Sequence, residues 1–227
     1  MIRVAVTTSI DTWERPAVEL RRVDLEPVPL PCIRVEEVPG AGERARLAIS
    51  EADLVVVTSI RALDLVWGSG VLPDIDFAAV GPATAQGIKR KGGRVVRAGD
   101  GGALALVRLI EGDLRGRRVL YLHARGSDPD AISRLAGGAG SVVDVELYQS
   151  VPVGPGGDPV EAATFASPSA VAGWLQTRTL DGLILAAIGP ATAGELARHG
   201  RPPEVTAPNP GFPALADALA AYLEEAA

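Results

Sequence analysis

Two glycine-proline corners recur in this chain, Gly81-Pro82-Ala83-Thr84-Ala85 and Gly189-Pro190-Ala191-Thr192-Ala193. Each follows an apolar run and opens a stretch with helical spacing. Proline then stands where a first helical residue tolerates it, and the first-turn amides have no internal partners. Such donors, with the positive end of the helix dipole and a threonine hydroxyl, make a natural pocket for an anion. One element earlier, Thr58-Ser59 and Ala166-Ser167 repeat the arrangement. In an open α/β sheet these four turns stand at the carboxyl ends of strands, where ligands bind. Taken singly, Ser59, Thr84, Ser167 and Thr192 each read as a cap on their own helix. Four turns in matched pairs point instead to a ligand with several carboxylates.

Few other groups offer chemistry. No G-x-G-x-x-G fingerprint follows a strand, and neither a P-loop nor a G-x-S-x-G elbow is present. Metal ligation would draw on His123, His199 and Cys32, which lack ligand spacing. His199 beside Gly200 suits a helix's last turn, and His123 suits the hydrogen-bonded end of a core strand. Arg125, in His123-Ala124-Arg125-Gly126-Ser127-Asp128, reads either as an anion ligand or as half of a surface salt bridge. Arg61 carries the same two readings. Tyr148 closes a strand where an extended segment begins, so its phenol is expected near an interdomain cleft; a buried strand tyrosine is the plainer alternative.

The elements that must hold these residues follow from the hydropathy pattern. Residues 2–8, 53–58, 77–81, 117–123, 142–148, 162–167 and 184–189 are continuous apolar runs, as expected of strands covered on both faces of a parallel sheet. Helices are expected at 60–67, 82–91, 102–111, 128–136, 168–177, 190–199 and 213–225, with Gly92 and Gly200 as left-handed stops. The alternation implies a doubly wound α/β architecture. The chain also repeats itself. Ser59 and Ser167 stand 108 positions apart, as do Gly81 and Gly189, and Arg3-Val4-Ala5 pairs more loosely with Arg118-Val119-Leu120, each ahead of a helical stretch and a second strand. Glu26–Pro31, leading into 33–38, and Tyr148–Val153 read as exposed connectors. The chain would then leave one domain and return: residues 1–33 plus 154–227 form the first, 39–147 the second, with connectors at 34–38 and 148–153. Tandem halves, 1–115 and 116–227, are the competing division.

Composition narrows the class. The 227 residues carry 22 Lys and Arg against 28 Asp and Glu, a net charge of −6, so a nucleic-acid partner is not expected. No apolar run reaches the length of a membrane span, and a single cysteine fits a reducing cytoplasm.

Taken together, the segments Val55 to Leu63, Val80 to Gly93, Leu147 to Pro152, Phe165 to Trp174 and Ala187 to Gly200, with the tail Ala207-Pro208-Asn209-Pro210, resemble the uroporphyrinogen-III synthase family over almost the whole chain. The resemblance implies two flavodoxin-like three-layer α/β/α domains with parallel sheets, joined by a two-stranded linker. It favours the returning path over tandem halves. It also implies a reaction: linear hydroxymethylbilane loses water, its ring D is inverted, and the macrocycle closes to uroporphyrinogen III. By position, Tyr148 matches the family's cleft tyrosine, a proton donor to the departing hydroxyl. Thr84 and Thr192 match substrate-lining threonines of the glycine turns, Ser59 and Arg61 match a Ser-x-Arg motif, and Ser167 with Ser169 holds the equivalent place. Members often carry Arg-Pro after the first strand, where this chain reads Thr7-Thr8-Ser9-Ile10-Asp11. The resulting expectation is a monomeric cytoplasmic lyase without metal or organic cofactor. Its substrate is hydroxymethylbilane, with a transient contact to the bilane-producing enzyme and no nucleic-acid or membrane partner. The alternative is a non-enzymatic two-domain binding or regulatory module that closes on a small polyanion.

Overall fold

A strand covered by helices on both faces has no solvent side to keep polar, which is why its sequence reads as one apolar run. In the computed structural model, which describes residues 1–209 and 211–226, residues Val4 to Val6, Leu54 to Val57 and Ala162 to Phe165 are buried throughout. The chain runs β1 (Arg3–Val6), α1 (Glu14–Arg22), β2 (Glu26–Pro29), β3 (Ile33–Glu37), α2 (Ala41–Ile49), β4 (Leu54–Val57), α3 (Ile60–Trp67) and β5 (Asp76–Val80). It continues through α4 (Pro82–Arg90), β6 (Arg94–Gly99), α5 (Gly102–Ile110), β7 (Arg118–Ala124), α6 (Pro129–Gly138) and β8 (Ser141–Pro152). The last elements are β9 (Ala162–Phe165), α7 (Pro168–Trp174), β10 (Ile184–Ala187), α8 (Pro190–Arg198), β11 (Val205–Thr206) and α9 (Phe212–Glu225). Pro210, part of one motif above, lies outside the described residues.

The chain divides into two compact units, Met1–Val35 with Ser150–Ala227, and Glu36–Gln149. Both divisions fall inside strands, β3 and β8, which are hydrogen-bonded neighbours. The first unit holds a parallel sheet in the order β11-β10-β9-β1-β2. Phe165, Trp174 and Leu196 pack one face beneath α7 and α8, while Val6, Leu20 and Leu219 pack the other beneath α1 and α9. The second unit's sheet runs β3-β8-β7-β4-β5-β6, with α2, α3 and α4 on one face and α5 and α6 on the other.

The internal repeat explains why both orders look alike. An offset of 108 carries β4 onto β9 and β5 onto β10, and the looser match carries β7 onto β1. Read that way, β8-β7-β4-β5-β6 and β2-β1-β9-β10-β11 are the same spatial order. The first unit counts 2-1-3-4-5 along the chain, the flavodoxin-like order, and the second is its circular permutation.

Three sequence expectations need correcting. Glu26–Pro29, read as an exposed connector, is the edge strand β2, with Val28 and the following Leu30 buried. The amides of Glu26 and Leu30 donate to Ile2 and Val6, so Pro27 and Pro29 occupy alternate positions whose missing N–H faces away from the sheet. Residues 41–49, assigned no element, are α2, and the helical stretch expected without bounds after the first strand is α1. Pro16 is the third residue of α1, where its absent donor would have had no partner anyway. Residues 94–99 and 205–206 likewise prove to be strands, β6 and β11.

Cys32, immediately before β3, is fully buried. Burial pushes its thiol up to about 12, against a smaller opposing pull from Arg178. An unfolded thiol ionises near ~8.5, so the contribution to stability is complete below that pH and is lost as pH rises toward the folded value. The native protein is therefore expected to resist a disulfide thiol reagent at pH 8 and to react upon unfolding. A native rate equal to the unfolded rate would contradict this burial.

Candidate functional site

Parallel register brings the turns of the second unit to one level. Val57 lies opposite both Ala79 and Leu122, so two residues further on Ser59, Gly81 and Ala124 share the carboxyl edge. Ser59 is extended (φ −155°, ψ 158°) and caps α3, its Oγ accepting from the Ala62 amide at 3.0 Å. Tyr148 stands across from Ala124 on β8. Its hydroxyl is 3.0 Å from Ser59 Oγ, and the Arg61 guanidinium carbon lies 5.7 Å from its ring centroid.

A bulge makes this meeting possible. His123 pairs with Glu146, whereas Ala124 pairs with Tyr148, leaving Leu147 as the extra residue. Side chains on a regular strand alternate between faces, so Val145 and Leu147 would share the α3 face and Tyr148 would point away. With the bulge, Tyr148 packs against the same hydrophobic cluster as Leu147 and Leu63. Re-aiming one side chain is a common use of such irregularities.

The remaining candidates separate. Gly81 caps α4 at φ 83°, a conformation that glycine alone adopts at little cost, while Gly189 caps α8 in a fully extended form. The capping alternative fails for both threonines. They are third helical residues, 5% and 2% exposed for Thr84 and Thr192, with most of each side chain covered. Ser167 does cap α7, accepting from the Ala170 amide at 3.2 Å; Ser169 is partly buried within that helix, and Ala191 is exposed on α8. Ser167 and Gly189 share a level on adjacent strands of the first unit, because Phe165 pairs with Ala187. Arg125 commits Nε to Glu146 at 2.9 Å and Nη1 to Gln149 at 2.8 Å, the salt-bridge reading of that residue. In the stretch that replaces Arg-Pro, Thr7 is buried and donates to the Thr164 carbonyl, and Ser9 meets the Thr12 hydroxyl at 2.9 Å.

Sequence reasoning passed over Asp144, which lies 2.5 Å from His123 Nε2 and has no motif to mark it. Burial holds the nearby Tyr121 phenol at about 12, so it is a poor proton donor. A groove of about 770 Å³ lies beside Pro82, Gln86 and Lys89, but none of Ser59, Arg61 and Tyr148 lines it. Among the described residues, no group of three His, Cys, Asp or Glu is placed to hold a metal, and no helix is long and apolar enough to cross a membrane.

The family model described as Uroporphyrinogen-III synthase HemD matches residues 14–217. The chain belongs to the uroporphyrinogen-III synthase family. It is thereby an enzyme of the cyclising lyase type, acting in porphyrin biosynthesis. Solved structures of that family share its fold. A uroporphyrinogen-III synthetase from Helicobacter pylori superposes with a TM-score of 0.69 at 18% identity, covering 98% of this chain and 99% of the other. A mutant uroporphyrinogen III synthase from Thermus thermophilus gives 0.63 at 19% identity, covering 99% and 100%. No curated protein matches the chain.

Proposed function

We propose that Tyr148 is the proton donor of the synthase reaction, in which hydroxymethylbilane loses water and closes to uroporphyrinogen III with ring D inverted. The observation that carries this reading is the contact of Tyr148 with Ser59 and Arg61 at a strand-end edge. When the phenol gives its proton to the departing hydroxyl, water leaves, a reactive azafulvenium cation and a phenolate remain, and the proton that ring D loses on closure restores the phenol. The Ser59 hydroxyl can then turn its own proton toward the phenolate, because the cap needs only its lone pair. The Arg61 charge over the ring favours the same state.

Isomer choice demands little energy. Favouring one closure a hundredfold takes ~2.7 kcal/mol of differential stabilisation, which positioning of the carboxylate arms can supply. In this reading the first-turn amides of Ala83 and Thr84, ahead of the first helical bond from Ala85 to Gly81, receive an acetate or propionate arm. The turns at Ser167, Ser169, Gly189, Ala191 and Thr192 offer the first unit's equivalent donors. With a net charge of −6, local positive potential at helix starts must outweigh overall repulsion of an octacarboxylate. We further infer a cytoplasmic monomer that meets the bilane-producing enzyme only in passing, with no nucleic-acid or membrane partner; its elution volume in size-exclusion chromatography tests the first point. Purified protein given fresh hydroxymethylbilane is expected to yield the type III isomer on chromatography. Type I alone would remove the proposal.

A further inference from the structure

We propose that His123, braced by Asp144, is a positioning residue that orients the peptide holding the Tyr148 bulge. The inference rests on the reading of Tyr148 as proton donor. His123 is buried on the face of the sheet opposite to that of Tyr148, stacked on Tyr121 with ring centroids 4.5 Å apart. It therefore touches neither the phenol nor anything bound beside it.

Its two nitrogens nevertheless have definite tasks. Nδ1 lies 2.8 Å from the Ala124 carbonyl oxygen, which can only accept, so Nδ1 carries a proton. Nε2 lies 2.5 Å from Asp144 Oδ1, which braces the ring from its other side. The Ala124 oxygen also accepts from the Ser127 hydroxyl at 2.9 Å and the Ser127 amide at 3.2 Å. That carbonyl belongs to the same planar group as the Arg125 amide. On the other side of the plane, the Arg125 N–H donates to the Tyr148 carbonyl at 2.7 Å. Holding one end of a rigid plane sets the direction of the other. His123 and Ser127 thus grip the oxygen, and the nitrogen grips the backbone of the residue that the bulge aims at Ser59. A loosened plane would let Tyr148 swing from its hydrogen-bonding position, and small losses of alignment are costly for a positioned group.

The two nitrogens can be separated by substitution. In His123→Asn the amide nitrogen falls near Nδ1 and keeps the donor to Ala124. In His123→Gln it falls near Nε2, keeping Asp144 and losing Ala124. In single-turnover measurements on hydroxymethylbilane, His123→Gln is expected to lose about tenfold in rate, and His123→Asn about threefold, each with KM changed less than about twofold. Combined with Tyr148→Phe, His123→Gln should cost less than about twofold more, since the two act through one phenol. Ser127→Ala, a milder change outside the core, should lose about threefold alone and nothing further in the Tyr148→Phe background. It decides the matter if the histidine variants fail to fold. Losses that multiply with that of Tyr148→Phe, or equal losses for Asn and Gln, would overturn the inference and leave Tyr148 as donor. An unchanged rate in Tyr148→Phe itself would overturn both.

Discussion

Tyr148→Phe is expected to slow formation of the type III isomer by about ten- to hundredfold and to leave a measurable remainder, less than a general acid usually contributes. The modest size follows from the substrate. A hydroxymethyl group on an electron-rich pyrrole leaves readily, so the proton donor assists a step that already proceeds in water. Removing one phenolic oxygen leaves the ring, its contact with Arg61 and the cap of α3 in place, since Ser59 Oγ still accepts from Ala62. KM should therefore change little if, as proposed, helix starts rather than the phenol receive the arms. A loss beyond about ten-thousandfold with the fold intact would show that proton transfer carries most of the catalysis, and no loss would exclude Tyr148 as donor.

Gly173→Ala is expected to have the largest effect on stability. Gly173 sits in α7 beside the fully buried Trp174, and a Cβ built there collides with the carbonyl oxygen of Cys32 and lies 2.8 Å from that of Val153. Both obstacles are backbone, and Val153 N–H donates to the same Cys32 oxygen at 2.9 Å. Neither can retreat without straining the hydrogen bond that pairs Val153 with Cys32. Overpacking against side chains commonly costs about 1–3 kcal/mol, and against backbone about 3 kcal/mol or more is expected. Urea unfolding measures it; a loss below about 1 kcal/mol would mean that α7 shifts freely.

The parts of this molecule that were legible in its sequence are those fixed by local physics. The buried strands announced themselves as apolar runs, α3 spans Ile60–Trp67 as its spacing predicts, and Gly92 and Gly200 take the positive φ of 80° and 77° that a helix stop requires. The prolines of β2 hid a strand, because only the sheet order shows that their nitrogens face outward at an edge. At the site, Ser59 could be found as a repeated turn residue, yet its meeting with Tyr148, 89 positions away, could not. It depends on β7 lying between β4 and β8 and on one extra residue, Leu147, in the ladder. Bulges leave no signature in composition or period, and the bracing of His123 by Asp144 depends on the same long-range pairing.

Isomer composition of the product made by Tyr148→Phe tests most directly whether geometry rather than acid catalysis directs closure. With protein in excess over fresh hydroxymethylbilane, so that closure free in solution is negligible, the slowed variant should still release the type III ring system. Type I as the main product of the folded variant would mean that the phenol itself chooses which carbon is joined.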